Sequence, residues 1–125
     1  MGNTYVRGLV PMLRVEDAGR SISFYRDALG FEVRDQLEED GKAVWAYLVR
    51  GEAELMLSEQ PGEVEVVRRA GAILYLYPDE VGAVQTRLAE LNHPASQLRR
   101  TEYGMLEFDL LDPDGYELWL GQPTE

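Results

Sequence analysis

The sequence predicts an α+β chain of two βαβββ modules in a single domain, residues 1–125. Three observations carry this. Segments with strand and helix periods occur in the order strand, helix, strand, strand, strand, and that order occurs twice. The stretch "ILYLYPDEVGAVQTRLAELNH" lies over "PMLRVEDAGRSISFYRDALGF" with a constant shift. Turn residues then punctuate each half at hairpin spacing. Module one covers about residues 5–60, a connector about 61–70, and module two about 71–123.

The first strand lies in "PMLRV", where Leu13 and Val15 share a face opposed to Met12 and Arg14. Asp17 then opens a helix, with Ile22, Tyr25 and Leu29 on one stripe. Gly30 ends it in the left-handed conformation that glycine tolerates. "FEVRDQL", "KAVWAYLV" and "AELMLSE" follow as strands, with turns at 39–41 and at Gly51. In "AELML", Leu55 and Leu57 oppose Glu54 and Met56. "PGEVEVVRRAG" is a connector in which "VEVV" has the composition of a short strand.

In the second half the constant shift lays Leu13 and Val15 on Tyr75 and Tyr77, and the acidic N-cap Asp17 on Asp79. It lays Ile22 on Val84, Leu29 on Leu91 and Gly30 on Asn92. A weakly marked strand near 97–101 precedes "MLEFDLL" and "YELWLG". Between these two, Asp112-Pro-Asp-Gly is a strong turn signal, because Pro113 presets φ and Gly115 accepts a positive one. In the last strand Leu118 and Leu120 oppose Glu117 and Trp119. One face of each sheet therefore packs under a helix. The other carries a mixture of charges and apolar groups that suits the lining of a cleft.

Composition limits the chemistry. The chain has no cysteine and a single histidine, His93. Thiol nucleophiles, disulfides and thiolate metal sites are excluded. Catalytic zinc and non-haem iron sites that need two or three imidazoles cannot come from one chain. Ser21 and Ser58 have no histidine base in prospect, and His93, held extended by Pro94, is a loop residue. There is no glycine-rich phosphate loop. A net charge of −11, from 12 basic and 23 acidic residues, repels phosphate backbones and favours a cationic ligand. No apolar run approaches the roughly 20 residues of a membrane span, and no signal-peptide pattern opens the chain. The expectation is a soluble cytoplasmic protein that binds neither nucleic acid nor membrane.

The segments "PMLRVEDAGRSISFYRDALGFEV" and "GMLEFDLLDPDGYELWLGQP" resemble the two signature regions of the vicinal oxygen chelate superfamily. That group holds glyoxalase I, extradiol dioxygenases, fosfomycin resistance enzymes and bleomycin resistance proteins. The resemblance spans nearly the whole chain. It implies paired βαβββ modules forming an open, curved mixed sheet around a cleft. It also implies metal-ligand positions, which fall here on Val10, Glu54, Ala72 and Trp119. Valine, alanine and tryptophan cannot coordinate a metal, and one carboxylate cannot hold a divalent ion against water.

The expectation is therefore a metal-independent binding protein with no cofactor, similar to bleomycin resistance proteins. It would take an aromatic compound, cationic by preference, such as an antibiotic. The alternative is a lyase, isomerase or dioxygenase of the same superfamily with an altered metal site. The cleft set is Met12, Arg14, Trp45, Glu54, Met56, Leu74, Tyr103, Glu117 and Trp119. Trp119 is the stacking platform, and the carboxylates would prefer a cation, although Arg14 equally suits an anionic ligand. Catalytic residues are not identified. The resemblance further implies a homodimer, with "NTYVRG" or "PGEVEVV" completing a site across subunits.

Overall fold

A computed structural model describes residues 5–62 and 69–124. The elements run β1 (Met12–Val15), α1 (Ala18–Leu29), β2 (Glu32–Glu39), β3 (Lys42–Arg50), β4 (Ala53–Glu59), β5 (Arg69–Leu76), α2 (Val81–Glu90), β6 (Arg99–Arg100), β7 (Met105–Leu111) and β8 (Tyr116–Pro123). This is βαβββ twice, as the sequence predicts. The first sheet has the order β1-β4-β3-β2 and the second β5-β8-β7-β6. In each, the first strand pairs parallel with the last, and the hairpin strands pair antiparallel. β5 begins at Arg69, inside the expected connector. The "VEVV" segment lies outside the described residues.

Each element follows from local chemistry. Asp17 Oδ1 accepts the Arg20 amide at 3.0 Å and so satisfies an orphan donor at the start of α1. At its other end Gly30 has φ 81°, and the Gly30 and Phe31 amides donate to the carbonyls of Arg26 and Tyr25. The β2–β3 turn needs two positive φ angles in succession, at Asp40 (53°) and Gly41 (78°), the backbone that Asp-Gly adopts most readily. β2 is an edge strand with almost every residue exposed. Its acidic side chains discourage edge-to-edge pairing with other chains.

One core serves both modules. Leu13, Val15, Ala46, Leu48, Leu55 and Leu57 from the first sheet join Ile22, Tyr25 and Ala28 of α1. Val81, Leu88, Phe108, Leu110, Leu118 and Leu120 continue it in module two. The modules are locked together by the turn after β7. Asp114, fully buried, accepts from the Glu16 amide and Arg20 Nη2 at 3.0 Å, and from Ser21 Oγ at 3.2 Å. Asp112 accepts the Tyr25 hydroxyl at 2.6 Å, and its other oxygen takes the Asp114 and Tyr116 amides, each at 2.9 Å. The two signature segments thus meet because the turn carboxylates of one module hold the helix start of the other.

Two expectations for module two are corrected. The constant shift between the halves holds at the end of α2, where Asn92 takes a positive φ of 58° as Gly30 does after α1, but it fails in β5 and at the start of α2. Leu74 and Leu76 pair with the core residues Leu118 and Leu120, so they stand where Leu13 and Val15 stand in module one. Tyr75 pairs with Trp119 and joins the opposite face. A one-residue slip in a strand moves every side chain to the other face. The α2 N-cap is also Glu80 rather than Asp79, and its side chain makes no capping bond. Gln122 Oε1 accepts the Val81 amide instead. A tertiary cap removes the need for a local one, which releases the spacing that the overlay assumed.

Candidate functional site

Strand alternation exposes one face of each sheet away from the core. On the first sheet, Met12, Arg14, Trp45 and Met56 share that face, in register across β1, β4 and β3. Glu54 belongs to it as well, and its carboxylate accepts the Tyr47 hydroxyl from the neighbouring strand. Met12 is 57% exposed, although it is a large apolar side chain.

The face of the second sheet is more polar and more ordered by hydrogen bonds. Its centre is Glu107 on β7, a fully buried carboxylate. Tyr75 on β5 donates to Glu107 Oε2 at 2.7 Å. Tyr103, reaching in from the turn before β7, donates to Oε1 at 2.6 Å, and Arg99 Nη2 approaches the same oxygen at 3.4 Å. Burial pushes the Glu107 carboxyl up, but the two hydroxyls and the guanidinium outweigh it, and the group ends below the ordinary carboxylate range. Glu107 is therefore an anion at neutral pH. Burial beside that anion raises the Tyr75 hydroxyl well above its usual value, so Tyr75 remains a donor.

Gly121 makes this arrangement possible. A Cβ at position 121 would stand 2.2 Å from the Tyr75 hydroxyl oxygen and 3.0 Å from the ring. Only a missing side chain on β8 lets Tyr75 cross that strand to reach Glu107 on β7. The Tyr75 ring in turn lies against Tyr77, with centroids 5.0 Å apart.

Trp119 occupies the middle of β8, next to this cluster. Its indole N–H donates to Glu117 Oε2 at 2.8 Å. The Arg99 guanidinium lies over its ring, 5.0 Å from the centroid. Arg99 Nη1 is fixed by Asp109 Oδ2 at 3.0 Å and Ser96 Oγ at 3.3 Å. The indole expected to offer a bare stacking surface is covered on one side by a cation of the same chain.

The nine expected cleft residues fall in three places. Met12, Arg14, Trp45, Glu54 and Met56 lie on the first open face. Tyr103, Glu117 and Trp119 lie on the second. Leu74 belongs to neither, because it packs against the core. A cavity of about 260 Å³ between the modules brings Glu54 together with Ile73, Leu74 and Tyr75. Met12, Arg14, Trp45 and Met56 do not line it. A larger open groove of about 900 Å³ runs past Tyr75 and Tyr77 and is rimmed by Arg50, Glu52, Asp79 and Glu80. Neither Trp119 nor the carboxylates Glu107, Asp109 and Glu117 of the second face line it. His93 holds the Leu111 carbonyl through Nε2 at 2.7 Å and packs its ring on Phe24, which is a structural role.

Sequence patterning missed Tyr75, Arg99 and Gly121, and its cleft set does not include Glu107 or Asp109. Tyr75 was hidden by the assumed constant shift. Arg99 sits in a strand of two residues, too short to show a period. The signal that could have found Tyr75 is the Leu74–Leu76 alternation, which matches Leu13–Val15 directly.

Of the superfamily's metal positions only Glu54 carries a ligand type. Val10 leads into β1, Ala72 is an exposed residue of β5, Trp119 is paired as described, and Glu54 is engaged by Tyr47. Among the described residues, no three His, Cys, Asp or Glu side chains are grouped so as to hold a metal ion. The donor set does not fit a divalent metal. Nor is any helix among the described residues long and apolar enough to cross a membrane.

Comparison with solved structures finds the same architecture. A bleomycin resistance determinant encoded on transposon Tn5 matches with a TM-score of 0.71 and 21% identity, covering 96% of this chain and 100% of the other. TnmS3, an antibiotic binding protein from Streptomyces sp. CB03234, gives 0.70 and 22%, covering 98% and 99%. Lactoylglutathione lyase from Agrobacterium tumefaciens gives 0.68 and 24%, covering 95% of each chain. At such identities these likenesses speak for the fold alone. No curated protein matches the sequence. The family model for the glyoxalase/bleomycin resistance protein/dioxygenase superfamily matches residues 9–120, and the chain belongs to that superfamily.

Proposed function

We propose that this protein binds a small aromatic compound, with a preference for cations, without a metal and without turnover. An antibiotic of that chemistry is a suitable ligand. The observation that carries the reading is the second open face. There, an indole, two tyrosines and the carboxylates Glu107, Asp109 and Glu117 converge. Aromatic rings supply stacking on the order of 1 kcal/mol beyond area burial. Fixed carboxylates supply the charge preference, reinforced by a net charge of −11. Proteins of the same fold include a bleomycin resistance determinant and an antibiotic binding protein, which is compatible with this use of the face.

Two open faces on one subunit also favour pairing. Tyr5 (82% exposed), Val6 (88%) and Leu9 (85%) add an exposed apolar approach to β1. A homodimer that covers these side chains and encloses ligand between subunits is part of the proposal. Light scattering at micromolar concentration is expected to give twice the chain mass of 14.2 kDa. A monomer would remove this part.

Binding is tested by titrating cationic aromatic compounds, bleomycin among them, while following tryptophan fluorescence. Saturable quenching is expected; its absence across the set would overturn the reading. A lactoylglutathione lyase shares the fold, so enzymatic use of it has its own test. Stoichiometric metal in the purified protein, with an activity lost on chelation, would replace binding by catalysis.

A further inference from the structure

The surroundings of Arg99 form a complete recognition site for a planar cation, and the chain fills that site with its own side chain. Four contacts define it. The guanidinium lies over the Trp119 ring at 5.0 Å from the centroid. Asp109 Oδ2 stands 3.0 Å from Nη1 and Glu107 Oε1 3.4 Å from Nη2. Ser96 Oγ accepts from Nη1 at 3.3 Å. A flat cation over an indole between two carboxylates is a favourable arrangement in general, whatever molecule supplies the cation. The Glu107 carboxylate and the backbone of Asp109 are held independently of Arg99. Glu107 is fixed by Tyr75 and Tyr103, and the Asp109 backbone amide is held by Ser96 Oγ at 2.9 Å. Arg99 itself hangs from a strand of two residues, and its side chain is 38% exposed. Its side chain can therefore leave the seat without moving β7 or β8.

We propose that Arg99 is the specificity-determining residue of the second face. It occupies the Trp119 seat as an internal stand-in, and an amidinium or guanidinium group on an aromatic ligand takes its place. This deepens the binding function proposed above and rests on it. The ligand class narrows from aromatic cations in general to planar ones whose charge lies in the plane of the stack. Tetrahedral ammonium compounds would leave the two carboxylates unequally satisfied.

The test uses benzamidine, with neutral benzamide as its isostere, in a Trp45→Phe background so that Trp119 alone reports. Arg99→Ala is expected to bind benzamidine on the order of tenfold more tightly than the Arg99 protein, which is the size of the cation–π contact removed from competition. Benzamide should show no such gain. Unchanged or weaker benzamidine binding by Arg99→Ala would overturn the proposal, because Arg99 would then be a passive or helping neighbour. If Arg99→Ala does not fold, the Arg99 Nε–H resonance of the parent protein serves instead. Benzamidine should abolish its ring-current shift, and a shift that persists at saturation would overturn the proposal. The two levels fail separately. Tight benzamidine binding by Arg99→Ala alone, with no cationic aromatic bound by the parent, upholds the seat and sinks the native binding function. Binding of cationic aromatics by the parent with no gain in Arg99→Ala does the reverse.

Discussion

At the scale of the residue, Glu107 and Gly121 decide what the second face is. A carboxylate with no exposed surface is tolerated only because three donors satisfy it, and one of them, Tyr75, must cross β8 to arrive. Gly121→Ala should therefore cost about 1–3 kcal/mol, since the added methyl forces Tyr75 off Glu107 or shifts β8. Urea denaturation measures it, and a change within a few tenths would show that Tyr75 relaxes freely. Glu107 also sets a pH dependence. Its folded value lies below the ordinary 4.5, so its contribution is fully present above that pH and is lost as pH falls through the lower folded value. Thermal melts of wild type and Glu107→Gln between pH 6 and about 3 should show wild type losing its advantage only below pH 4.5. An advantage that grows on acidification would contradict the assigned donors.

At the scale of the element, the helix starts show two ways of solving one problem. α1 uses a local cap, Asp17, and a distant one, Asp114. α2 relies on Gln122 from β8. Asp17→Ala should cost about 1 kcal/mol, an ordinary N-cap loss. Asp114→Ala should cost more, about 2–4 kcal/mol, because the Glu16 amide, Arg20 and Ser21 lose a buried charged acceptor together. Equal losses in denaturant unfolding would mean that the turn after β7 does not fasten α1. The elements themselves were largely legible. Alternation of Leu13 with Val15, of Leu55 with Leu57 and of Leu118 with Leu120 put the right residues in the core. The register of β5 was not, because Tyr75 and Tyr77 are as good strand formers as Leu74 and Leu76. Composition alone does not say which pair faces inward.

At the scale of the whole molecule, charge and connectivity act together. With 23 acidic residues against 12 basic ones, the folded surface repels itself, and salt screens that repulsion. Raising sodium chloride from 10 mM to about 0.15 M, where the screening length shortens from roughly 30 to 8 Å, is expected to raise the melting temperature at pH 7. A fall would show that local ion pairs such as Arg20–Asp114 outweigh the global repulsion. Because one core runs through both modules and the turn after β7 buries its carboxylates against α1, unfolding should be a single transition.

By itself the sequence determined the repeated βαβββ order, the capping of α1, the turn between β7 and β8 and the supply of a single imidazole per chain. These are local matters of periodicity, turn chemistry and inventory. Only the tertiary structure decided which side chains meet on the second face. Tyr75, Arg99, Glu107 and Trp119 come from four different strands, and pairing register and the space over Gly121 bring them together. A strand carries its own alternation in its sequence. The identity of the residue opposite is fixed by another strand, and a slip of one position exchanges core for cleft.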